Sequence, residues 1–211
     1  MAARDTTAQR LPPASLTGFP TYEITALTDL FRAHDARRSP WWFGNDGGGR
    51  FDLQSPRGTC YAALDAESAL RERLGPVLGG RTRLPESALV DVVVSRLRLP
   101  AARDVADVQS RRAVRFGVTR ELESMVPYAV PQTWARALAA TGFGGVKYGP
   151  RFTPGECSAV GLFGPEGAAG WPEDTDPVPA EQVSPDLHAW PTPRRADVTV
   201  VRPPRTRTVR G

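Results

Sequence analysis

Short strand and helix patterns alternate irregularly between residues 28 and 164, and this order constrains the fold more than any other feature of the chain. The runs TCYAAL (59–64) and ALVDVVVSRL (88–97) predict strands. Asp65 is a good N-cap for a helix AESALRERL, which Gly75 is placed to end. No GxGxxG follows a strand, and neither GxxxxGKS nor GxxxxGKT occurs, which argues against a doubly wound nucleotide fold. The order predicts a single mixed α+β domain.

A second helix and a pair of strands are predicted towards the end of this region. Pro131 suits the first turn of the helix QTWARALAAT, and Gly142 ends it. The runs GGVKYG and SAVGLFG predict two short strands around the Pro/Gly loop RFTPGE.

Composition changes at both ends of the predicted domain. Residues 1–27 are polar and contain proline before they turn apolar, which predicts a mobile arm. From residue 165 to residue 211 the chain is rich in Pro, Gly and Arg, and it has no sustained apolar period, so we expect a largely irregular tail. Trp171 and Trp190 are candidates to dock it. We therefore divide the chain into an arm (1–27), a domain (28–164) and a tail (165–211).

The net charge of +4 and the pI of about 9.6 raise the question of nucleic-acid binding. Every basic residue except Lys147 is arginine, which together with abundant Ala, Gly and Pro is typical of a GC-rich coding bias. The densest basic group (194–211) lies in the predicted tail. Nucleic acid is therefore the least favoured partner.

Other features exclude several classes of protein. No apolar run approaches the roughly 20 residues of a membrane span, and the N-terminal residues lack the apolar core of a signal peptide, so we expect a cytoplasmic protein. Cys60 and Cys157 form no zinc-type spacing, and we interpret both as buried thiols. His34 and His188 are the only histidines. We therefore expect no metal site.

Each charged or aromatic candidate for chemistry has an ordinary structural explanation when it is taken alone. Glu72 lies two residues from both Leu70 and Leu74 and so points away from the apolar stripe of its helix, as a solvated glutamate would. Tyr61 fits a strand interior. Arg32 fits a surface position with a buried stem.

The same residues nevertheless lie in a set of short motifs with a specific order. The motifs are FRAH (31–34), GRFD (49–52) and GTCYAA (58–63), followed by Glu72 eleven residues after Tyr61. Later come PYAVPQTWARALAATGFGGVKY and AVGLFG. In this order and spacing they resemble the RES domain family, from about Leu30 to Gly164.

This resemblance implies a fold like that of ADP-ribosyltransferases and a role as the toxin of a bacterial toxin–antitoxin pair. It implies that NAD is consumed as a substrate, by phosphorolysis or hydrolysis or by transfer of ADP-ribose to a protein. Glu72, Arg32 and Tyr61 would be catalytic. Arg50 and Arg151 would bind NAD together with Arg32 and Tyr61. The implied partner is a cognate antitoxin protein.

One departure from the family pattern concerns a serine in a Tyr-x-Ser-Arg stretch before the last strand. Here Pro150 stands in the serine position, between Tyr148 and Arg151. Thr153 is another hydroxyl that could fill the role, and Ser158 is a poor substitute. The departure keeps open a non-catalytic NAD-binding module as an alternative to an enzyme.

Glutamate, arginine and tyrosine side chains suit the chemistry of NAD cleavage. Nicotinamide leaves from a cationic state, so the reaction mainly needs a fixed carboxylate to stabilise the oxocarbenium-like ribose. Arginine grips pyrophosphate with paired hydrogen bonds. Tyrosine can stack on the cationic nicotinamide ring.

Overall fold

An eight-stranded mixed sheet forms the centre of the fold in the computed structural model, which describes residues 9–78, 83–184 and 188–190. The strands in chain order are β1 Thr21–Ile24, β2 Leu30–Asp35, β3 Trp42–Phe43, β4 Arg57–Ala63, β5 Arg83–Pro85, β6 Val92–Leu97, β7 Arg103–Asp107, β8 Gly145–Tyr148, β9 Ala159–Pro165, β10 Gly167–Ala168, β11 Val178–Pro179 and β12 His188–Trp190. The large sheet has the order β1-β7-β8-β9-β4-β2-β6-β11. Its neighbouring strands are antiparallel except β7 and β8.

Three α-helices and three 3-10 helices accompany the sheet in the described residues. The α-helices are α1 Ala66–Leu78, α2 Ala129–Ala140 and α3 Ala180–Val183, and the 3-10 helices are Glu86–Ala88, Arg111–Phe116 and Arg120–Glu123. None of the helices in the described ranges is both long and apolar enough to cross a membrane.

Strand β4 lies in the middle of the large sheet, between β9 and β2. It pairs with β9 along its whole length, with Tyr61 opposite Gly161. Because side chains alternate along a strand, Cys60 and Ala62 enter one apolar cluster while Ala63 and the ring of Tyr61 enter another. The core therefore continues on both faces of the sheet.

Helices α1 and α2 cover the sheet with the apolar faces that their sequences predict. Trp134 and Leu138 of α2 are fully buried in the cluster that contains Tyr61. Leu70 and Leu74 of α1 pack against Val94 of β6. The mixed α+β class is thereby confirmed.

Two predicted boundaries were wrong. Helix α1 does not end at Gly75 but continues to Leu78. A Cβ at Gly75 would clash with the ring of Phe152, so this glycine permits close packing and does not act as a terminator. Strand β6 begins at Val92 and not at residue 88, because Asp91 has a φ of 59°. The predicted α2 is confirmed, with Gly142 at a φ of 100° after its end.

The described segments outside the predicted domain pack against it. Leu16 and Phe19 are buried in the core beside α2. Trp171 contacts Trp41 and Phe43, with ring centroids 4.9 and 5.5 Å away. The division into arm, domain and tail stays a prediction, and its outermost parts, residues 1–8 and 191–211, lie outside the described residues.

Candidate active site

A cavity of about 440 Å³ opens beside β2, β4 and α1, a size typical of ligand pockets. Four of the five residues predicted from the sequence line it together, namely Arg32, Arg50, Tyr61 and Glu72. The fifth, Arg151, is exposed, and its neighbour Phe152 contributes to the wall. These four residues thus converge from β2, the loop before β4, β4 itself and α1.

The loop that carries Arg50 is fixed by a network around Asp52. The N–H of Gly49 donates to Asp52 Oδ2 at 2.8 Å, and the hydroxyl of Tyr61 donates to Asp52 Oδ1 at 2.8 Å. The same hydroxyl accepts the N–H of Phe51 at 2.8 Å. A Cβ on Gly49 would clash with Asp52 and Tyr61, so glycine is required there. Tyr61 therefore positions the loop as well as lining the cavity.

Arg50 carries a buried positive charge into the site. The residue is only 8% exposed, and its guanidinium lies 5.3 Å from the centre of the Tyr128 ring. Among the described residues, its Nη1 has no hydrogen-bond partner. Because an unsatisfied buried donor is costly, this nitrogen is suited to bind an anion.

Glu72 reaches the cavity from α1, on the flank that lies off the apolar stripe. The N–H of Phe152 donates to its Oε1 at 2.7 Å and fixes the carboxylate. Burial raises the pKa of Glu72, and the Phe152 N–H and the charge of Arg50 oppose that shift. The flank that periodicity predicts to be solvated is covered by the segment around Phe152.

Glu123, at the end of a 3-10 helix, is a further buried carboxylate that the sequence did not reveal. It is 7% exposed, and burial raises its pKa against the opposing influence of the Gly149 N–H and nearby basic groups, including Arg50. A Cβ on Gly149 would lie 2.7 Å from Glu123 Oε2. Glu123 therefore packs closely on the segment that leads to Phe152, and no motif in the sequence marks it.

Arg32 lines the cavity and also holds the backbone of the segment that leads into β3. Its Nη1 donates to the carbonyl of Pro40 at 2.8 Å and to that of Trp42 at 2.9 Å. The wall beside it includes Trp42, which sequence reasoning did not single out. The signal available in the sequence was the run of three aromatic residues that contains Trp42.

The hydroxyl groups considered for the missing serine lie elsewhere. Pro150 is buried and has no hydroxyl. Thr153 has a buried Oγ1 without a partner in the described part of the chain, but Thr153 is not among the residues that line the cavity. The hydroxyl of Ser158 donates to Gln109 Oε1 at 2.7 Å.

The arrangement combines the buried cation of Arg50, the fixed carboxyl groups of Asp52 and Glu72, and several aromatic rings. Tyr61, Tyr128 and Tyr148 provide rings, and burial raises the pKa of Tyr61 and Tyr148 so that both phenols remain neutral. Within the described ranges, no group of three or more His, Cys, Asp or Glu side chains forms a metal site. The site suits a ligand that joins an anionic group to planar rings.

Residues 29–186 match the model of the RES domain family. No curated protein matches the chain. Among solved structures, the fold is similar to a chain of the M. tuberculosis MbcT–MbcA toxin–antitoxin complex, with a TM-score of 0.54 and 15% identity over 77% of this chain and 79% of the other. The family match covers well over half of the sequence and coincides with the segments that form the cavity, so the chain belongs to the RES domain family.

Proposed function

We propose that the protein consumes NAD by cleaving the bond between nicotinamide and ribose. The observation that carries this proposal is the unpartnered Nη1 of Arg50 in the same cavity as the fixed carboxylate of Glu72. Membership of the RES domain family supports it.

Arg50 binds the pyrophosphate of NAD in this proposal. Its guanidinium is already buried, so an anion gains a charge-assisted hydrogen bond without the cost of burying the cation again. Arg151, which is exposed and lies against the ring of cavity-lining Phe152, adds a second positive charge for the pyrophosphate in this proposal. Arg32, which also lines the cavity, contributes a further positive charge.

Glu72 stabilises the ribose as the bond breaks. The electron pair of the C–N bond leaves with nicotinamide, which becomes neutral, and positive charge develops on the ribose. The carboxylate is fixed before the reaction, so it stabilises that charge without rearrangement. Water then gives ADP-ribose and a proton, whereas phosphate gives ADP-ribose phosphate. The ring of Tyr61 stacks on the nicotinamide.

The partner in this proposal is an antitoxin protein that covers the cavity. The similar M. tuberculosis fold comes from a toxin–antitoxin complex, which supports the same role here. We place the activity in the cytoplasm, where NAD is available.

A second candidate function is an NAD-binding module without turnover. Pro150 in the serine position is the observation that favours it. Such a module would bind NAD tightly and leave it intact.

The test is NAD consumption by the purified protein, with and without phosphate, beside two glutamine variants of the same helix. Glu72→Gln is expected to lower the rate by about 100-fold or more, because a charge that stabilises the transition state is lost. Glu67→Gln, which removes an exposed carboxylate paired with Arg71, controls for the substitution and should leave the rate unchanged.

The outcomes separate the candidate reactions. Phosphate dependence would identify phosphorolysis, and phosphate-independent loss would identify hydrolysis. Label from NAD on an acceptor protein would identify ADP-ribosyl transfer. If the protein binds NAD measurably but leaves it intact, the binding module is the correct function and the enzyme is not.

A further inference from the structure

Trp42 is a large aromatic side chain that the fold keeps at the surface. It is 52% exposed, whereas its neighbours Trp41 and Phe43 are 0% and 1% exposed. Both neighbours pack edge-on against Trp171. Because successive side chains of a strand point to opposite sides, the burial of these two residues directs the indole of Trp42 away from the core.

The exposed indole lines the same cavity as Arg50 and Glu72. The segment 44–49 connects Trp42 to Arg50, and its glycines at 44, 48 and 49 also line the cavity. The three glycines add no side chains to this stretch of wall, and exposed Asp46 is the other residue of the segment that lines the cavity. A ligand can therefore extend from Arg50 to the indole along open space.

The backbone around Trp42 is held on both sides. Arg32 Nη1 donates to the carbonyls of Pro40 and Trp42, at 2.8 and 2.9 Å. Trp42 also pairs with Ala168 in the small sheet of β3 and β10. A fixed aromatic face at the rim of a cavity is the arrangement that binds nucleobases by stacking.

We propose that Trp42 is the platform on which the adenine base of the dinucleotide stacks, and that it sets the preference for NAD over substrates without adenine. The inference rests on the proposed function and deepens it. Tyr61 and Glu72 take the nicotinamide–ribose end, and Arg50 takes the pyrophosphate, so adenine is the planar group of NAD that still needs a wall. Besides its part at the pyrophosphate, Arg32 holds the carbonyl of Trp42 and so helps to keep the indole in place.

The experiment compares NAD with nicotinamide mononucleotide, which has the same scissile bond but no adenine. Stacking on one base corresponds to about 5- to 150-fold in affinity. Trp42→Ala should raise the KM for NAD within that range, with little change in kcat, and leave the KM for the mononucleotide unchanged. Trp42→Phe should restore most of the loss. Leu27→Ala, at an exposed residue that does not line the cavity, is the matched control.

A binding measurement separates this inference from the proposed function. Calorimetry with adenosine monophosphate needs no turnover, and Trp42→Ala should weaken that binding within the same range while Trp42→Phe retains it. Unchanged NAD and adenosine monophosphate affinities in Trp42→Ala would overturn the inference, even if the variant bound an antitoxin less tightly. Equal losses for NAD and the mononucleotide would also overturn it, because they would show a general disturbance of the site.

Discussion

At the scale of single residues, Arg50 holds a charge that the folded protein leaves incompletely satisfied. Its Nη1 is buried and has no partner within the described ranges. A ligand that supplies an anionic oxygen therefore stabilises the native state selectively. ADP, which contains a pyrophosphate, is a convenient probe.

We expect saturating ADP to raise the Tm of the wild type by roughly 5 to 10 °C, the shift that corresponds to a concentration of about 100 times Kd. Arg50→Met should lose most of this rise, because the anion has lost its donor. Arg57→Met, at an exposed arginine on β4, should keep it. Differential scanning fluorimetry measures all three proteins, and an equal rise in Arg50→Met would assign the anion to another residue.

Three carboxyl groups around the site, on Asp52, Glu72 and Glu123, have pKa values raised chiefly by burial. A raised folded-state pKa means that the native state favours the protonated form more than the unfolded chain does. The contribution of each such group to the free energy of unfolding is fully present below its pKa in the unfolded chain. This contribution is lost as the pH rises through the pKa of the folded state.

Glu123→Gln tests this sign. The amide keeps an acceptor oxygen but cannot ionise, so the variant should gain stability relative to wild type as the pH rises from the ordinary glutamate value of 4.5 through the folded pKa. Urea unfolding at a series of pH values measures the difference. Glu156→Gln, at an exposed position, controls for the substitution itself. A constant difference between wild type and Glu123→Gln would contradict the raised pKa.

Glu72 shows how far the sequence could predict the site. Helical periodicity places this side chain off the apolar stripe, and the structure agrees. What covers that flank depends on Phe152, which comes much later in the chain, so periodicity could not reveal it. Motif order grouped Arg50, Tyr61 and Glu72, which line one cavity in the structure, whereas Glu123 is defined only by tertiary contacts.

At the scale of elements, the loop between β3 and β4 is shaped by a run of glycines with unequal roles. A Cβ on Gly49 would clash with Asp52 and Tyr61, whereas one on Gly48 would have its nearest contact, 3.1 Å away, with the carboxylate of exposed Asp46. Gly49→Ala should therefore lower the free energy of unfolding by about 1–3 kcal/mol. It should also weaken ADP binding, because the loop carries Arg50.

Gly48→Ala is the matched control in the same run and should change stability by about 0.5 kcal/mol or less. Urea unfolding and calorimetry with ADP measure both variants. Equal behaviour of the two variants would contradict the close packing of Gly49.

The elements themselves were predictable where local signals agree with tertiary packing. Helix α2 has its early proline and its closing Gly142, and both local signals are confirmed. Gly75 carried the same local signal as Gly142, but it serves contact with Phe152. A glycine required by a distant side chain cannot be distinguished from a terminator in the sequence.

At the scale of the whole molecule, the segment after β9 completes the domain. Trp171 packs between Trp41 and Phe43 and lies 5.0 Å from the guanidinium of Arg103. Trp171→Ala should therefore reduce the free energy of unfolding by about 2–4 kcal/mol. Urea unfolding measures this loss.

Val126→Ala, at an exposed valine, is the control and should have a small effect. A loss below about 1 kcal/mol in Trp171→Ala would show that the segment adds little to the stability of the fold.

The irregular order of the predicted elements was enough to predict the mixed α+β class. It was not enough to predict the order of the strands in the sheet. Strand β9 lies between β8 and β4, and β11 pairs at the edge with β6. Such pairings depend on which distant strands share a buried face. Composition predicted an irregular segment after residue 164 and Trp171 was a candidate to dock it, but the sequence could not identify Trp41 and Phe43 as the rings that Trp171 contacts.

The central position of β9 also determines when a newly made chain can form the complete cavity. Tyr61 leaves the ribosome early, but its pairing partner Gly161 and the Phe152 N–H that fixes Glu72 emerge only after most of the polypeptide has been translated. Until then β4 and β8 lack the strand that joins them, and the cavity has no complete wall. A nascent chain therefore lacks the complete cavity for most of its synthesis, and under the proposed function it cannot cleave NAD during that time.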